Sequence, residues 1–257
     1  MKKIKINLIP MAGLGQRFLD KGFSVPKPLI QIDGIPMVVK AYRALPKSDR
    51  NILVCRKEHI EKYELDKVLN KYIPNLIIVD IDYVTEGQAM TCMLAKEYIP
   101  DDCILTIGAS DNDMTYDNKN YEKLLKDEEC DGFVWTFKNN PSVLQDPKMY
   151  GWAKEENEIV KEVFCKIPLS KNPMTDHALV GAFTFKNAKF FFDAVNSMVE
   201  NNFRINNEFY IDSAINFAVK SKKTIKVFEV DEYICWGTPQ DYINYNYWMS
   251  YFRKRNI

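Results

Sequence analysis

The sequence predicts an α/β domain in which helices cover both faces of a mixed, mostly parallel β-sheet. In the first 130 or so residues, four apolar runs each precede a helical pattern, and such alternation is typical of a parallel sheet. The runs are continuously apolar rather than alternating, as expected of strands that are buried on both faces. Beyond them the chain becomes richer in strands, so we expect its second half to complete the sheet and wall one side of a cleft.

The first half consists of four units in which an apolar strand precedes a helix. In chain order they are IKINLIPM before MVVKAYRAL, NILVCR before HIEKYELDKVLNKY, NLIIVDID before QAMTCMLAKEYI, and CILTIGA before YEKLLKDEE. In an open parallel sheet, ligands bind beyond the carboxyl ends of the strands, where the connecting loops meet. We therefore expect functional residues in the loops that follow these runs.

The second half adds strands with two helices among them. The strand candidates are GFVWTF, GWAKEE, EIVKEVFCK, ALVGAFTF and TIKVFEV, and the helical patterns are AKFFFDAVNSMVE and YIDSAINFAV. The aromatic segment YINYNYWMSYFRKR predicts a last helix with enough apolar surface to pack on the domain or on a partner. A homo-oligomer is therefore an open alternative to packing within the domain.

Composition excludes several classes of protein. The 257 residues include 35 Lys and Arg against 35 Asp and Glu, so no overall basic field exists to bind nucleic acid or anionic lipid. No run approaches the roughly 18 apolar residues of a membrane-spanning helix, so we expect no membrane insertion. The six cysteines are scattered and the chain has only two histidines, which favours reduced thiols in a cytoplasm over a zinc site or a disulfide framework.

The segment IPMAGLGQRFLDKGFSVPKPLI, residues 9–30, carries the strongest functional signal. Gly13 and Gly15 allow a sharp turn whose exposed backbone N–H groups can bind an anion. Arg17 can donate two hydrogen bonds to phosphate oxygens, and Lys27, between two prolines, can reach a phosphate as a point charge. The glycines alone would fit many strand-to-helix turns. Their joint spacing with Arg17 and Lys27 predicts a loop that binds a polyphosphate.

Two carboxylates follow the fourth apolar strand. Asp111 and Asp113 lie in CILTIGASDNDMTYD, two residues apart, just past the strand end. Hard oxygen ligands at this position suit Mg²⁺ that bridges phosphate oxygens. The alternative is a turn in which these side chains bond their own backbone.

The segment TEGQAMT begins the third helical pattern. Thr85 and Gln88 have the spacing of a capping box, which is a purely structural explanation for both residues.

These motifs together resemble the signature of the sugar-phosphate nucleotidyltransferases, also called sugar-nucleotide pyrophosphorylases. The strongest match is MAGLGQRF, VPKPLI and GIPMV, and the later segments TEGQAMT, GASDND, MYGWAK, VFCKIP, ALVGAFTF, NNEFYIDSAI and WGTPQD follow in order. The branch that the chain most resembles occurs in bacterial capsule and surface-polysaccharide biosynthesis. The resemblance implies a cytoplasmic enzyme with a GT-A-like (Rossmann-like) three-layer sandwich. It also implies a single domain, residues 1–257, with an NTP-binding half at about 1–130 and an acceptor-binding half at about 131–257.

The resemblance implies a role for each matching position. The catalytic residues would be Arg17, Lys27 and Asp111, and the Mg²⁺ ligands would be Asp111 and Asp113. The nucleotide-binding residues would be Met11, Ala12, Gly13, Gly15, Glu86, Gly87 and Gln88. The acceptor-binding residues would be Lys166, Gly181, Asn207 and Glu208. The implied reaction is Mg²⁺-dependent transfer of a nucleotidyl group from an NTP to a sugar 1-phosphate, which releases pyrophosphate.

The chain departs from the family pattern at two cysteines. Cys235 stands where many members have a second metal-binding aspartate, and Cys165 replaces the glutamate of an E-K-P motif. The second metal ligand is therefore open among Asp231, Glu208 and Asp113, or a single carboxylate suffices.

The base and the acceptor are also open. Cytidylyl, uridylyl and thymidylyl transfer all fit, and the acceptor could be a choline or polyol phosphate instead of a sugar. A pocket near Trp152, Asn207 and Trp236 could stack on a sugar or enclose a quaternary amine. A GT-A glycosyltransferase that uses the DND motif and a non-catalytic nucleotide-binding subunit are two further alternatives, although the first does not explain GLGQRF with PKPL.

Overall fold

A mixed β-sheet forms the centre of the computed structural model, which describes residues 3–255. The strands are β1 (Lys5–Pro10), β2 (Gln31–Ile32), β3 (Ile35–Pro36), β4 (Arg50–Arg56), β5 (Leu76–Ile81), β6 (Ile104–Ile107), β7 (Asn112–Thr115), β8 (Gly132–Phe137), β9 (Gly151–Glu156), β10 (Ile159–Cys165), β11 (His177–Phe185), β12 (Ile225–Glu229) and β13 (Glu232–Cys235). In the part of the chain that the structure describes, nine of them form one sheet in the order β5-β4-β1-β6-β11-β8-β12-β10-β9. All but β10 and β11 run in one direction, which confirms the prediction of a mixed, mostly parallel sheet.

Helices follow the predicted strands in the predicted order. They are α1 (Gln16–Leu19), α2 (Met37–Ala44), α3 (Lys57–Tyr63), α4 (Leu65–Leu69), α5 (Gln88–Met93), α6 (Asn118–Lys126), α7 (Ala188–Glu200), α8 (Ile211–Lys220) and α9 (Pro239–Lys254). The segment HIEKYELDKVLNKY predicted one helix and forms two, because the backbone at Glu64 is left-handed, with φ 47°. No helix within residues 3–255 combines the length and the apolar character needed to cross a membrane.

The sheet lies between two hydrophobic layers. On β1, Ile6 and Leu8 join the layer that includes α5, α7 and α8, whereas Ile9 faces the layer that includes α2 and α4. Burial of both strand faces explains why the strand sequence is continuously apolar. The three-layer sandwich that was predicted is therefore present.

A short antiparallel ladder, which the sequence did not reveal, positions the cleft. Strand β13 pairs with β7, so that Cys235 lies opposite Asn112 and the segment after β13 returns to the end of β6. The next residue, Trp236, is fully buried with Phe18 in a small cluster beneath the loop that follows β1. The ladder thus brings two loops together that are more than 200 positions apart in the chain.

Candidate functional site

The loop after β1 holds Lys27 close to its glycine-rich turn. Gly15 has φ +64°, and a Cβ atom there would lie 3.2 Å from the Lys27 Cβ. Phe18, the buried residue of α1, anchors the loop. Lys27 lies between Pro26 and Pro28 and is the first residue of a short 3-10 helix. Lys27 Nζ also lies 5.3 Å from the centre of the Phe18 ring. The tight turn and the apolar anchor therefore fix the direction of this lysine.

Lys27 and Asp111, which the sequence predicted to act together, are in direct contact. Lys27 Nζ donates hydrogen bonds to Asp111 Oδ2 and to the carbonyl oxygen of Gly237, the latter at 2.9 Å. The backbone N–H of Trp236 donates to the Asp111 carbonyl oxygen at 2.8 Å. The ammonium group of Lys27 thus links the loop after β1, the end of β6 and the segment after β13.

A cavity of about 460 Å³ opens beside this ion pair. It combines residues of the loop after β1 with the start of α5 and the end of β6. The predicted site residues that line it are Met11, Ala12, Gly13, Gly15, Arg17, Lys27, Gly87, Gln88, Asp111, Gly181 and Glu208. We call this space the first cavity. Its glycine-rich backbone and its two cationic side chains suit a ligand with several negative charges.

The start of α5 forms one wall of the first cavity. Gly87 is the N-cap residue, has φ +114°, and makes no side-chain cap. A Cβ atom at this position would lie 2.6 Å from the Phe209 carbonyl oxygen, so only glycine fits between the two segments. The capping box suggested by Thr85 and Gln88 is absent, because the helix begins at Gln88 itself. The Gln88 side chain is exposed and lines the cavity.

A second cavity of about 340 Å³ adjoins the first. The residues common to both are Arg17, Gln88, Ala109, Asp111, Gly181 and Gly237. Lys166 lines the second cavity, and its Nζ donates a hydrogen bond to the Tyr210 hydroxyl at 2.8 Å. Arg17 lies at the boundary, and its guanidinium donates a hydrogen bond to Met149 Sδ at 3.8 Å. A ligand in either cavity can therefore reach the Arg17 guanidinium.

Some predicted residues lie elsewhere. Glu208 lines the first cavity and not the second, and Asn207 and Glu86 line neither. Arg204 bonds both, donating to Glu86 Oε2 at 3.1 Å and to the Asn207 carbonyl oxygen at 3.3 Å.

Asp113 does not accompany Asp111 in the cleft. It belongs to β7 and accepts a hydrogen bond from the Met114 N–H, and burial raises the pKa of its carboxyl group. Its charged neighbours are Lys40 and Asp33, which are absent from both cavities. Asp111 precedes the first residue of β7, so the regular alternation of side chains along a strand does not place the two carboxylates on one face. The predicted pair of metal ligands stays a prediction.

The groups around Asp111 limit how a metal ion could bind. Within residues 3–255, no three His, Cys, Asp or Glu side chains are arranged to hold a metal ion. Burial, together with the charges of Asp111 and Asp241, raises the pKa of the Cys235 thiol to about 12, so the thiol stays protonated. The Asp241 carboxylate caps α9 through Thr238. A single carboxylate completed by phosphate oxygens is nonetheless a common environment for Mg²⁺, and Asp111 fits that description.

The predicted pocket near Trp152, Asn207 and Trp236 is wrong in its two tryptophans. Trp152 and Trp236 have no exposed surface and pack in the core instead. The aromatic lining of the second cavity comes from Tyr150, Tyr210 and Tyr233. Sequence alone gave no reason to choose these tyrosines, because the loops and strands that carry them meet only in the fold.

Asp212 also lines this cavity and was not among the predicted binding residues. It lies in the first turn of α8, within the NNEFYIDSAI segment, and its carboxyl group faces Gly151. Burial raises the pKa of this carboxyl group to about 6, although the nearby Lys166 charge opposes the shift. A carboxyl group whose pKa is shifted by burial in a cleft is a candidate functional residue.

The chain matches no protein-family model and no curated protein. Solved structures match it over nearly its whole length. The nucleoside-diphosphate-sugar pyrophosphorylase from Vibrio cholerae RC9 is 20% identical with a TM-score of 0.74, over 93% of this chain and 98% of that one. The inositol-1-phosphate CTP transferase from T. maritima is 18% identical with a TM-score of 0.74, over 95% of each chain.

A UDP-glucose pyrophosphorylase, solved in complex with UDP-glucose, is 18% identical with a TM-score of 0.73. The match covers 98% of this chain and 99% of that chain. At such identities the similarity establishes the fold alone. The chain has the Rossmann-like α/β fold of nucleotidyltransferases.

Proposed function

We propose that this protein transfers a nucleotidyl group from an NTP to a sugar 1-phosphate or a similar small phosphorylated acceptor, and releases pyrophosphate. The observation that carries the proposal is the pair of adjoining cavities that share Arg17 and Asp111, with Lys27 bonded to Asp111 at their boundary. Two anionic substrates must be held together for this reaction, and such a boundary is where their reacting groups would meet.

The first cavity would hold the NTP. The backbone N–H groups of residues 13–16 and the Arg17 guanidinium would bind the β- and γ-phosphates, and Lys27 would bind the α-phosphate. Gly87 and Gln88 would lie against the base. Asn207 and Glu86 lie outside both cavities, so their predicted roles depend on the resemblance alone.

The second cavity would hold the acceptor, with its phosphate near Lys166. An oxygen of that phosphate attacks the α-phosphorus in line, and the bond from the α-phosphorus to the bridging oxygen of the β-phosphate breaks. Pyrophosphate leaves with that electron pair. A phosphate monoester is already ionised near neutral pH, so the reaction needs no general base. Lys27 and Arg17 would stabilise the charge that develops on the transferred group and the leaving group.

Asp111 is the residue that would hold Mg²⁺. When bound, the ion would neutralise phosphate charge and orient the triphosphate for attack. Asp111 would exchange its contact with the Lys27 ammonium for a contact with the cation, which would free Lys27 for the α-phosphate.

The names of the structural neighbours support the acceptor class. They include an inositol-1-phosphate CTP transferase and a putative glucose-1-phosphate thymidylyltransferase from Bacillus anthracis, the latter 17% identical with a TM-score of 0.71. The proposed product is an NDP-activated precursor, and the sequence resemblance associates it with capsule or surface polysaccharide.

A matrix of nucleotides and acceptors tests the proposal. The purified protein is incubated with CTP, UTP or dTTP, with Mg²⁺, and with each of a panel of sugar and polyol phosphates, and pyrophosphate release is measured. We expect release with at least one pair and a matching nucleotide–acceptor product. Glycosyl transfer from an NDP-sugar, or NTP binding without turnover on any acceptor, would overturn the proposal.

A further inference from the structure

A pocket at the end of the sheet opposite the first cavity is lined by four lysines. Its volume is about 350 Å³, and we call it the rear pocket. The lysines are Lys3, Lys5, Lys126 and Lys186, and Glu122 is the only carboxylate among the lining residues that the structure describes. Lys5 begins β1, whereas the first cavity lies beyond the other end of that strand. The length of β1, roughly 17 Å, therefore separates the two spaces.

The sheet itself places two of these lysines on one face. Lys5 pairs with Ile104 across β1 and β6. Phe185, the last residue of β11, lies opposite Leu105, so Lys186 comes level with Ile104. Residues that are level on neighbouring strands point to the same face, here the face that α6 covers. Both lysines are half-buried, and the strand register rather than a mobile loop fixes their positions.

The hydrogen bonds within the rear pocket leave most of its positive charge without a counter-charge. Lys5 Nζ donates to Glu122 Oε1 at 2.9 Å. Lys3 Nζ donates to the carbonyl oxygen of Lys186 at 2.8 Å, and Lys186 Nζ donates to the carbonyl oxygen of Asp127 at 2.5 Å. A carbonyl oxygen accepts a hydrogen bond but does not neutralise the ammonium group. Four cations therefore share one carboxylate.

A larger groove that also borders α6 shows that such an excess is not general on this side of the protein. Its charged lining residues are Lys119, Lys123, Lys126 and Lys226 with Glu122, Asp127, Glu158 and Glu229. Opposite charges balance there, and Lys226 Nζ donates to the Asp127 carboxylate at 2.7 Å. The excess of positive charge thus belongs to the rear pocket.

The dipole of α6 explains only one of the four lysines. Lys126 is the last residue of that helix, where a cation is favoured without any ligand. Lys5 and Lys186 lie at the ends of strands and have no such explanation. Holding like charges close together costs free energy, which a bound anion would recover.

We propose that the rear pocket binds a small anion with two or more negative charges, such as pyrophosphate, at a site separate from both cavities. Each ammonium group would donate a charge-assisted hydrogen bond to an oxygen of the anion. Ile104 and Leu125 supply apolar lining that does not compete for these donors. An anion with a single charge would leave most of the excess unbalanced and should bind weakly.

Amide chemical shifts of the ¹⁵N-labelled full chain test the proposal, because they report on each site separately. Pyrophosphate is titrated without NTP or acceptor, and sodium chloride keeps the ionic strength constant. The amides of Ile104, Leu125 and Lys186 report on the rear pocket, and those of Gly13 and Gly15 report on the first cavity. The readout needs no turnover, so the proposed reaction can fail while this proposal stands.

We expect the rear-pocket amides to shift along a saturable curve with pyrophosphate, and nitrate to leave them nearly unchanged. Lys126→Gln/Lys186→Gln should weaken pyrophosphate binding there at least tenfold and leave the first-cavity curve unchanged. Lys3→Gln/Lys126→Gln changes only exposed lysines, so its effect does not depend on the packing of Lys186. Lys96→Gln/Lys220→Gln is the matched control, because it removes two exposed lysines from the other face of the sheet.

Three results would overturn the proposal. They are rear-pocket amides that do not shift, an equal shift with nitrate, and a response of Lys126→Gln/Lys186→Gln equal to that of the control. Rear-pocket shifts that follow the first-cavity curve and vanish in Lys27→Met would also overturn it, because they would then arise from the first cavity. Thermal melting shows whether each variant is folded, and Lys3→Gln/Lys126→Gln decides the outcome if the substitution of Lys186 disturbs the fold.

Discussion

The two cavities differ in how their charged side chains are satisfied. In the first, Lys27 and Asp111 neutralise one another, and the Gly237 carbonyl oxygen takes a further hydrogen bond from Lys27. In the second, Lys166 bonds to a neutral tyrosine hydroxyl, and Asp212 has no side-chain partner within residues 3–255. The first cavity is thus preorganised before any ligand binds, whereas the second holds an unpaired charge that a ligand would complete. Variants in the two cavities should therefore differ in the kinetic parameter that they change.

The largest effect is expected at Lys27. Lys27→Met removes the cation at the cavity boundary and leaves the Asp111 carboxylate unpaired where the α-phosphate is proposed to bind. We expect kcat to fall about 10³-fold, in the range known for the loss of a preorganised charge contact to the transition state. Steady-state pyrophosphate release with saturating NTP and acceptor measures it. A loss of less than tenfold, or one confined to KM, would contradict the role of Lys27 at the reacting phosphate.

The rigidity of the first cavity is tested at Gly87. Gly87→Ala combines a left-handed φ with a Cβ atom 2.6 Å from a backbone oxygen. We expect the free energy of unfolding to fall by about 3 kcal/mol, since backbone strain and a clash with main chain add. Gly22→Ala is the control, because Gly22 also has a left-handed φ, +81°, but nothing lies within 4 Å of a Cβ there. Urea denaturation compares the two, and equal losses would show that Phe209 yields to the new methyl group.

The unpaired charge of the second cavity should appear as a pH-dependent stability. Burial raises the pKa of Asp212 to about 6 in the folded protein, against roughly 3.9 when unfolded. The folded state therefore binds more protons between these values, and the stability that protonation contributes is lost as pH rises through 6. The charged or titratable groups that face Asp212 are Lys166, which opposes the shift, and Cys165, whose thiol stays protonated.

Asp212→Asn should consequently stabilise the protein at pH 8 by up to about 3 kcal/mol and have little effect at pH 4. Thermal melting of both proteins across this range measures the difference. Asp193→Asn should show no such pH dependence, because that aspartate is exposed on α7. A stabilisation that is equal at both pH values would mean that ionisation of Asp212 does not destabilise the folded protein.

What the sequence could predict about the two cavities depends on whether a feature follows from a local motif or from contacts between distant segments. The fold class, the loop with Gly15 and Lys27, and the contact of that loop with Asp111 follow from local motifs and from the rule that strand ends meet at one edge of a sheet. Asp113 could not be placed, because its orientation depends on where β7 begins and on its pairing with β13. Asp212 could not be recognised either, since its opening depends on Gly151, which is 61 positions earlier in the chain.

Tryptophan burial was the other failure of sequence reasoning. An aromatic residue near a motif can stack on a ligand or pack in the core, and the local sequence does not distinguish the two. Trp236 packs beneath the loop after β1 because the β13 ladder carries it there. Such non-local pairing is what a single sequence reveals least.

The smallest effect is expected at Lys166, and it separates the cavities by the parameter that changes. Lys166→Met removes a contact that, under the proposed function, the acceptor phosphate would make both before and during the reaction. We expect KM for the acceptor to rise about tenfold while kcat and KM for the NTP stay nearly constant, as for the loss of uniform binding. Tyr210→Phe keeps the lysine but removes the hydroxyl that orients it, so the rise in KM should be about threefold. A fall in kcat as large as that of Lys27→Met would instead place both lysines on the transferred phosphate, and the two cavities would then form one catalytic site.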